Sequence, residues 1–132
     1  MGAWGIGAFE NDDALDVLDS LREGEFSFAE VEWAFEDDHY LEANGGQIAV
    51  ALAELAIAVN RGQPERVEDL ELSTIAGHFT DENLRFLRNQ VARALSGAET
   101  SELYELWADT EDFPQWLAAT ESLQRRLASI GN

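Results

Sequence analysis

No cysteine occurs in the 132 residues, which excludes disulfides, thiolate nucleophiles and cysteine-ligated metals and leaves packing and capping to hold the fold. Lysine is also missing. The eight cationic side chains are all arginine and stand against 27 Asp and Glu, a net charge of −19. A chain with so few cations lacks the basic stripe that displaces counterions from nucleic acid, and anionic membranes are disfavoured for the same reason, so neither is expected as a partner. No basic region followed by an apolar run opens the chain. The longest apolar stretch, residues 48–59, is interrupted by Glu54 and is too short to span a bilayer, and a soluble, cytoplasmic protein is the expectation. There are two prolines, no linker rich in Pro, Gly or Ser, and no repeat of 20 to 50 residues, so residues 1–132 are read as one domain.

What is present is enough apolar material for a core, with 45% hydrophobic and 10% aromatic residues, including Trp4, Trp33, Trp107 and Trp116. Each tryptophan is a candidate for core or interface. The charge therefore speaks to solubility, to a cation or to a basic partner rather than to disorder.

Apolar residues recur at helical spacing almost throughout. Asn11 is a good N-cap ahead of Asp12 and Asp13, and Ala14, Leu15, Leu18 and Leu21 predict a helix over 12–22 that ends at Gly24. Ser27 and Glu30 form a capping-box pattern before Phe28, Val31 and Phe35, predicting a second helix to about Asp37. Asn44-Gly45-Gly46 reads as a break, followed by a nearly all-apolar central helix closed by Gly62 before Pro64. Residues 65–79 predict at most a short helix after Pro64 and a loop through Gly77-His78. Thr80 caps a helix carrying Leu84, Leu87, Val91 and Leu95, and Thr100 or Ser101 starts another with Leu103, Leu106 and Trp107. Asp112 with Gln115 resembles a further capping box before a last helix that reaches Gly131. No sustained β alternation appears, and the expected fold is all-α, a compact bundle of five to seven helices.

Three glycines and a tryptophan crowd the opening G-A-W-G-I-G-A-F. The spacing is the reverse of a dinucleotide loop and follows no strand, and the missing lysine excludes a P-loop. The segment is read as an N-terminal anchor, with glycine bends letting Trp4, Ile6 and Phe9 insert into the core.

Two groups of polar residues are candidate sites. Glu32, Glu36, His39 and Glu42 include a Glu-x-x-His pair, the spacing that puts two metal ligands on one helix face, although a second such pair is absent because position 75 is not Glu. Asp12, Asp13, Asp16, Glu36, Asp37 and Asp38 cluster at the ends of early helices and are the candidate partner-binding residues. No nucleophile signature accompanies His39 or His78, no catalytic residues are assigned and no cofactor is expected.

The stretch G-A-W-G-I-G-A-F-E-N-D-D-A-L-D-V-L-D-S-L, residues 2–21, resembles the opening of the bacterial family known as domain of unknown function 4259, and S-E-L-Y-E-L-W at 101–107 with the closing L-Q-R-R-L is similar to its later segment. Trp4, Gly5, Gly7, Phe9, Asn11, Asp12 and Asp13 carry the first motif. The resemblance covers nearly the whole chain and implies a small helical bacterial protein without an assigned activity, so no catalytic residue comes with it. The expectation from the residues is a non-enzymatic acidic module, an immunity- or antitoxin-like inhibitor of a basic protein. The alternatives are a carboxylate/His metal protein or hydrolase, and a nucleic-acid mimic whose carboxylates imitate phosphates.

Overall fold

Helix α2, Ala43–Arg61, is the axis around which the molecule is built, because between Gly45 and Ile57 it is buried except for Val50 and Glu54, which are only partly exposed. A computed structural model describes residue 5, residues 7–62 and residues 65–130. Around α2 pack α1 (Asp12–Arg22), α4 (Asp81–Ala94), α5 (Glu102–Ala108) and α6 (Phe113–Ala128), with the single turn α3 (Leu72–Ile75) at one end. Six α-helices among the described residues make this an all-α bundle, within the range expected. Trp4, Ile6, Pro64 and Gly131, to which the sequence assigned anchoring, helix-starting and helix-ending roles, lie outside the described residues.

The cap residues explain where α1, α4 and α5 begin. Asn11 Oδ1 accepts the Ala14 N–H at 2.8 Å, Thr80 Oγ1 accepts the Asn83 N–H at 3.2 Å, and Ser101 Oγ accepts the Tyr104 N–H at 3.3 Å, each satisfying one of the donors that a helix start leaves free. Helix α2 is capped from outside its own segment. The Glu102 carboxylate accepts the Ala43 N–H at 2.8 Å, and beside it Leu41 and Ser101 form an isolated parallel bridge. The far end of α2 closes on Gly62 in the left-handed region at φ 71°, with its N–H on the Ala58 and Val59 carbonyls.

Four expectations are corrected. Residues Phe28–Phe35 are a 3₁₀ segment rather than an α-helix, and Ser27 makes no side-chain cap bond. Val31 and Phe35 are buried while Phe28 and Ala34 pack partly against the core, so the inward row 28, 31, 34 follows the three-residue period of a 3₁₀ helix. Asn44-Gly45-Gly46 is no break but the first turn of α2. A Cβ on Gly45 would stand 2.6 Å from the Ala34 carbonyl oxygen and 2.8 Å from Leu41 Cδ1, and one on Gly46 2.9 Å from Leu103 Cδ2, so these glycines let the 3₁₀ segment and α5 press against the helix. Residues 66–71 form a hairpin of two two-residue strands, β1 (Arg66–Val67) and β2 (Leu70–Glu71), turned by Glu68 and Asp69 at φ 49° and 67°, the positive pair that a tight two-residue turn requires. Asp112 gives no side-chain cap; Pro114 in the first turn and the Asp112 carbonyl, which accepts the Trp116 N–H at 2.9 Å, start α6 instead.

Two hydrophobic clusters form the core. The larger joins α1, the 3₁₀ segment, α2, α3, α4 and α6; the smaller is Leu103, Trp107 and Trp116, with the two indoles stacked at 6.4 Å. Leu95 packs against both and links them. At the N-terminal end Phe9 packs against the larger cluster, and the Glu10 carboxylate folds back to accept the Gly7 N–H at 3.2 Å, filling the space that a side chain at Gly5 or Gly7 would need.

Candidate functional site

Helix α1 divides its residues cleanly. Ala14, Val17, Leu18 and Leu21 are buried, which leaves Asp12, Leu15, Asp16 and Asp19 exposed and Asp13 half-buried on the shoulder between the faces. Opposite that shoulder the 3₁₀ segment turns Val31 and Phe35 inward and presents Glu30 and Trp33, three residues apart and so nearly eclipsed in this helix type. Trp33 and Leu15 are the exposed large hydrophobics among the described residues, at 55% and 37% exposure.

A groove of about 150 Å³ runs between the two elements. Val17, Phe26, Val31 and Ile48 contribute its apolar lining, Trp33 borders it, and Asp13, Asp16 and Glu30 supply its carboxylates. Burial, then the neighbouring charges of Asp16 and Asp12, push the Asp13 carboxyl above the usual aspartate range. The ion pairs among the described residues are Arg22 with Asp19, Arg66 with Glu71 and Arg126 with Glu54, so no arginine neutralises the groove.

The loop that follows is organised differently. Asp37 Oδ1 accepts the His39 N–H at 2.8 Å and the Tyr40 N–H at 3.2 Å, and the Asp37 carbonyl accepts from Arg93, so this aspartate holds its own loop in place. Glu36 and Asp38 are exposed beside it. Tyr40 is half-buried, and its phenol is pushed above the usual range by burial and then by Glu102, Glu105 and Glu42. Of the six acidic residues singled out in the sequence, Asp13 and Asp16 meet at the groove, Asp12 lies one position before Asp13 at the start of α1, and Glu36, Asp37 and Asp38 do not line it.

Glu32, Glu36, His39 and Glu42 are not assembled as ligands. Glu36 and His39 fall after the 3₁₀ segment rather than on one helix face, and no group of three His, Asp or Glu among the described residues is placed to hold a metal ion. A wider cleft of about 530 Å³ lies beside the hairpin, with the Arg66 to Glu71 ion pair, Glu65 and Ser73 in its lining; among the described residues no histidine lines it to activate the serine. No helix among the described residues is long and apolar enough to cross a membrane.

Sequence reasoning missed Glu30 and Trp33 as partners of Asp13 and Asp16. The available signal was the three-residue row that sets 30 and 33 on the outward side once 28, 31 and 34 are read as inward.

Against known proteins, a family model described as Domain of unknown function (DUF4259) matches residues 2–119. No curated protein and no solved structure matches the chain.

Proposed function

We propose that this chain, which belongs to the DUF4259 family, is an acidic protein-binding module whose partner is a basic protein that it occupies or inhibits. The observation that carries the reading is the groove between α1 and the 3₁₀ segment: three carboxylates with no ion-pair partner among the described residues, bordering an apolar lining and an exposed tryptophan. Unpaired like charges at a surface cost folding free energy through mutual repulsion, and a basic partner relieves that cost on binding while the field of −19 accelerates the encounter. The apolar lining supplies the contact area that charge alone does not. Asp12, Glu36, Asp37 and Asp38 add to the field around the groove and fall outside its lining.

Affinity capture on the tagged protein from lysate of its native host tests the reading, at low salt and at roughly 0.5 M, where screening shortens electrostatic reach to a few ångströms. The expected result is one basic protein held in stoichiometric amount at low salt and lost when Asp13 and Asp16 are changed together to arginine. Release of that partner by duplex DNA but not by an equal charge of heparin would identify it as a DNA-binding protein. Capture that is indifferent to charge reversal refutes the reading.

A further inference from the structure

We propose that the groove between α1 and the 3₁₀ segment is a receptor for a single arginine side chain of the basic partner, with the guanidinium against the Trp33 indole and among the Asp13, Asp16 and Glu30 carboxylates. This rests on the function proposed above and specifies its contact.

Size comes first. The groove has a volume of about 150 Å³, room for several water molecules. That admits one long side chain and not a helix, which is about 10 Å across. The lining comes second. Val17, Phe26, Val31 and Ile48 offer nothing to a hydrated inorganic cation, and a purely apolar side chain would strip water from the three carboxylates without replacing it. A side chain with an apolar stem and a cationic head matches both halves.

Arginine fits better than lysine for two reasons. Its planar guanidinium stacks on an aromatic face, and Trp33, 55% exposed, borders the groove. Its five donors fork between carboxylates, whereas an ammonium is a compact, strongly hydrated point charge. The chain's own nearest arginine in sequence is already committed, since Arg22 donates to Asp19 at 2.6 Å and to the Glu68 carbonyl at 2.9 Å. Asp13 is pushed upward first by burial and then by Asp16 and Asp12, and the charge part of that push has the sign that an incoming cation reverses.

The test is an NMR titration of the full chain with two blocked pentapeptides, each with four glycines around a central arginine or a central lysine. The expected shifts centre on Asp13, Asp16, Glu30 and the Trp33 indole, with the lysine peptide several-fold weaker. Trp33→Ala should weaken the arginine peptide about five- to tenfold, the range of a partly desolvated cation–π contact. Trp33→Phe should recover part of that loss. Asp13→Asn with Asp16→Asn and Glu30→Gln should abolish binding, while Glu99→Gln, Glu111→Gln and Glu121→Gln, three exposed carboxylates outside the groove, should change it less than about twofold, because screening confines the pull of an exposed carboxylate to its own neighbourhood, whereas attraction to net charge alone would fall equally in both. Equal loss in the two triple variants overturns the groove and leaves the acidic module standing. Equal affinity for the two peptides overturns the choice of arginine. No arginine-peptide binding by a protein that captures its basic partner refutes the groove alone, and absence of both refutes the groove and the function together. Melting curves for each variant separate lost binding from lost folding.

Discussion

Replacing Gly45 with alanine should destabilise this protein, although the same change inside a helix ordinarily stabilises by up to about 1 kcal/mol. Gly45 is buried in the first turn of α2, where an added Cβ would stand 2.6 Å from the Ala34 carbonyl oxygen and 2.8 Å from Leu41 Cδ1. Normal contact is about 3.5 to 4.0 Å. Neither neighbour can swing aside, since the first is backbone and Leu41 is fully buried. Relief therefore requires the 3₁₀ segment to move away from α2 by about 1 Å, and overpacking of this kind costs about 1 to 3 kcal/mol. Two contacts under 3.0 Å, one of them with backbone, put the cost in the upper part of that range, about 2 to 3 kcal/mol, and subtracting a propensity gain of about 1 kcal/mol leaves a net loss of about 1 to 2 kcal/mol, or a fall in Tm of about 3 to 8 °C for a domain of this size.

The paired control is Gly77→Ala, where a Cβ meets nothing within 4 Å and φ does not lie in the left-handed region. Its Tm should hold or rise slightly. Thermal and urea unfolding followed by circular dichroism at matched ionic strength decide the comparison, and a Gly45→Ala protein as stable as its parent refutes the close-approach account. Because Ala34 neighbours Trp33, the same displacement should also weaken the groove.

Three further outcomes are expected. Asp13→Asn should raise stability at neutral pH: the folded-state pKa lies above the unfolded value, so the folded protein binds more protons through that window and the charged carboxyl is a net cost above it. The gain should vanish as pH falls below the ordinary aspartate value, about 3.9, and urea midpoints from pH 3 to 7 that fail to converge at the acid end would contradict it. Glu102→Ala should cost about 1 kcal/mol by removing the external cap on Ala43, with Glu102→Gln losing less because its carbonyl still accepts; amide exchange at Ala43 reads this directly. Arg88→Ala should free the Leu127 and Ile130 carbonyls at the end of α6 and cost about 1 to 3 kcal/mol, with faster exchange of the Ser129 and Ile130 amides; protection unchanged there would refute the tie.

The helices legible in the sequence are those with a local start signal that the chain uses locally. Asn11, Thr80 and Ser101 each cap the helix they precede, and α1, α4 and α5 follow. Ser27 and Asp112 carry the same kind of signal and cap nothing with their side chains, because the next residues answer to tertiary packing: Phe28, Val31 and Ala34 to a three-residue inward row, Pro114 to its own preferred first-turn geometry. Gly45 and Gly46 read as a break because only the partners pressed against them, Ala34, Leu41 and Leu103, reveal why glycine is needed. Strands of two residues hold no alternation to detect, so the hairpin at 66–71 left no trace beyond its turn. Half of the groove was legible for a similar reason. Asp13 and Asp16 belong to a recognisable helix start, whereas Glu30 and Trp33 join them only through the packing of the 3₁₀ segment beside α1.

The arginines bear on whether the acidity is solvation alone. Arg22, Arg66, Arg88 and Arg93 each donate to a main-chain carbonyl, of Glu68, Asp69, Leu127 with Ile130, and Asp37 respectively. Arg22 and Arg66 also pair with Asp19 and Glu71, whereas Arg88 and Arg93 hold a helix end and a loop and make no ion pair among the described residues. Three ion pairs among the described residues leave most of the 27 acids without a counter-charge, and exposed pairs of that kind add little stability in any case. Solubility would account for the acids taken singly. It does not account for where Trp33 stands, since one exposed indole is ordinary by itself but this one borders an apolar lining shared with three of the acids. An exposed aromatic and an unneutralised charge cluster each cost the isolated protein something, and the proposed arginine, cationic at its head and apolar along its stem, would recover both costs together.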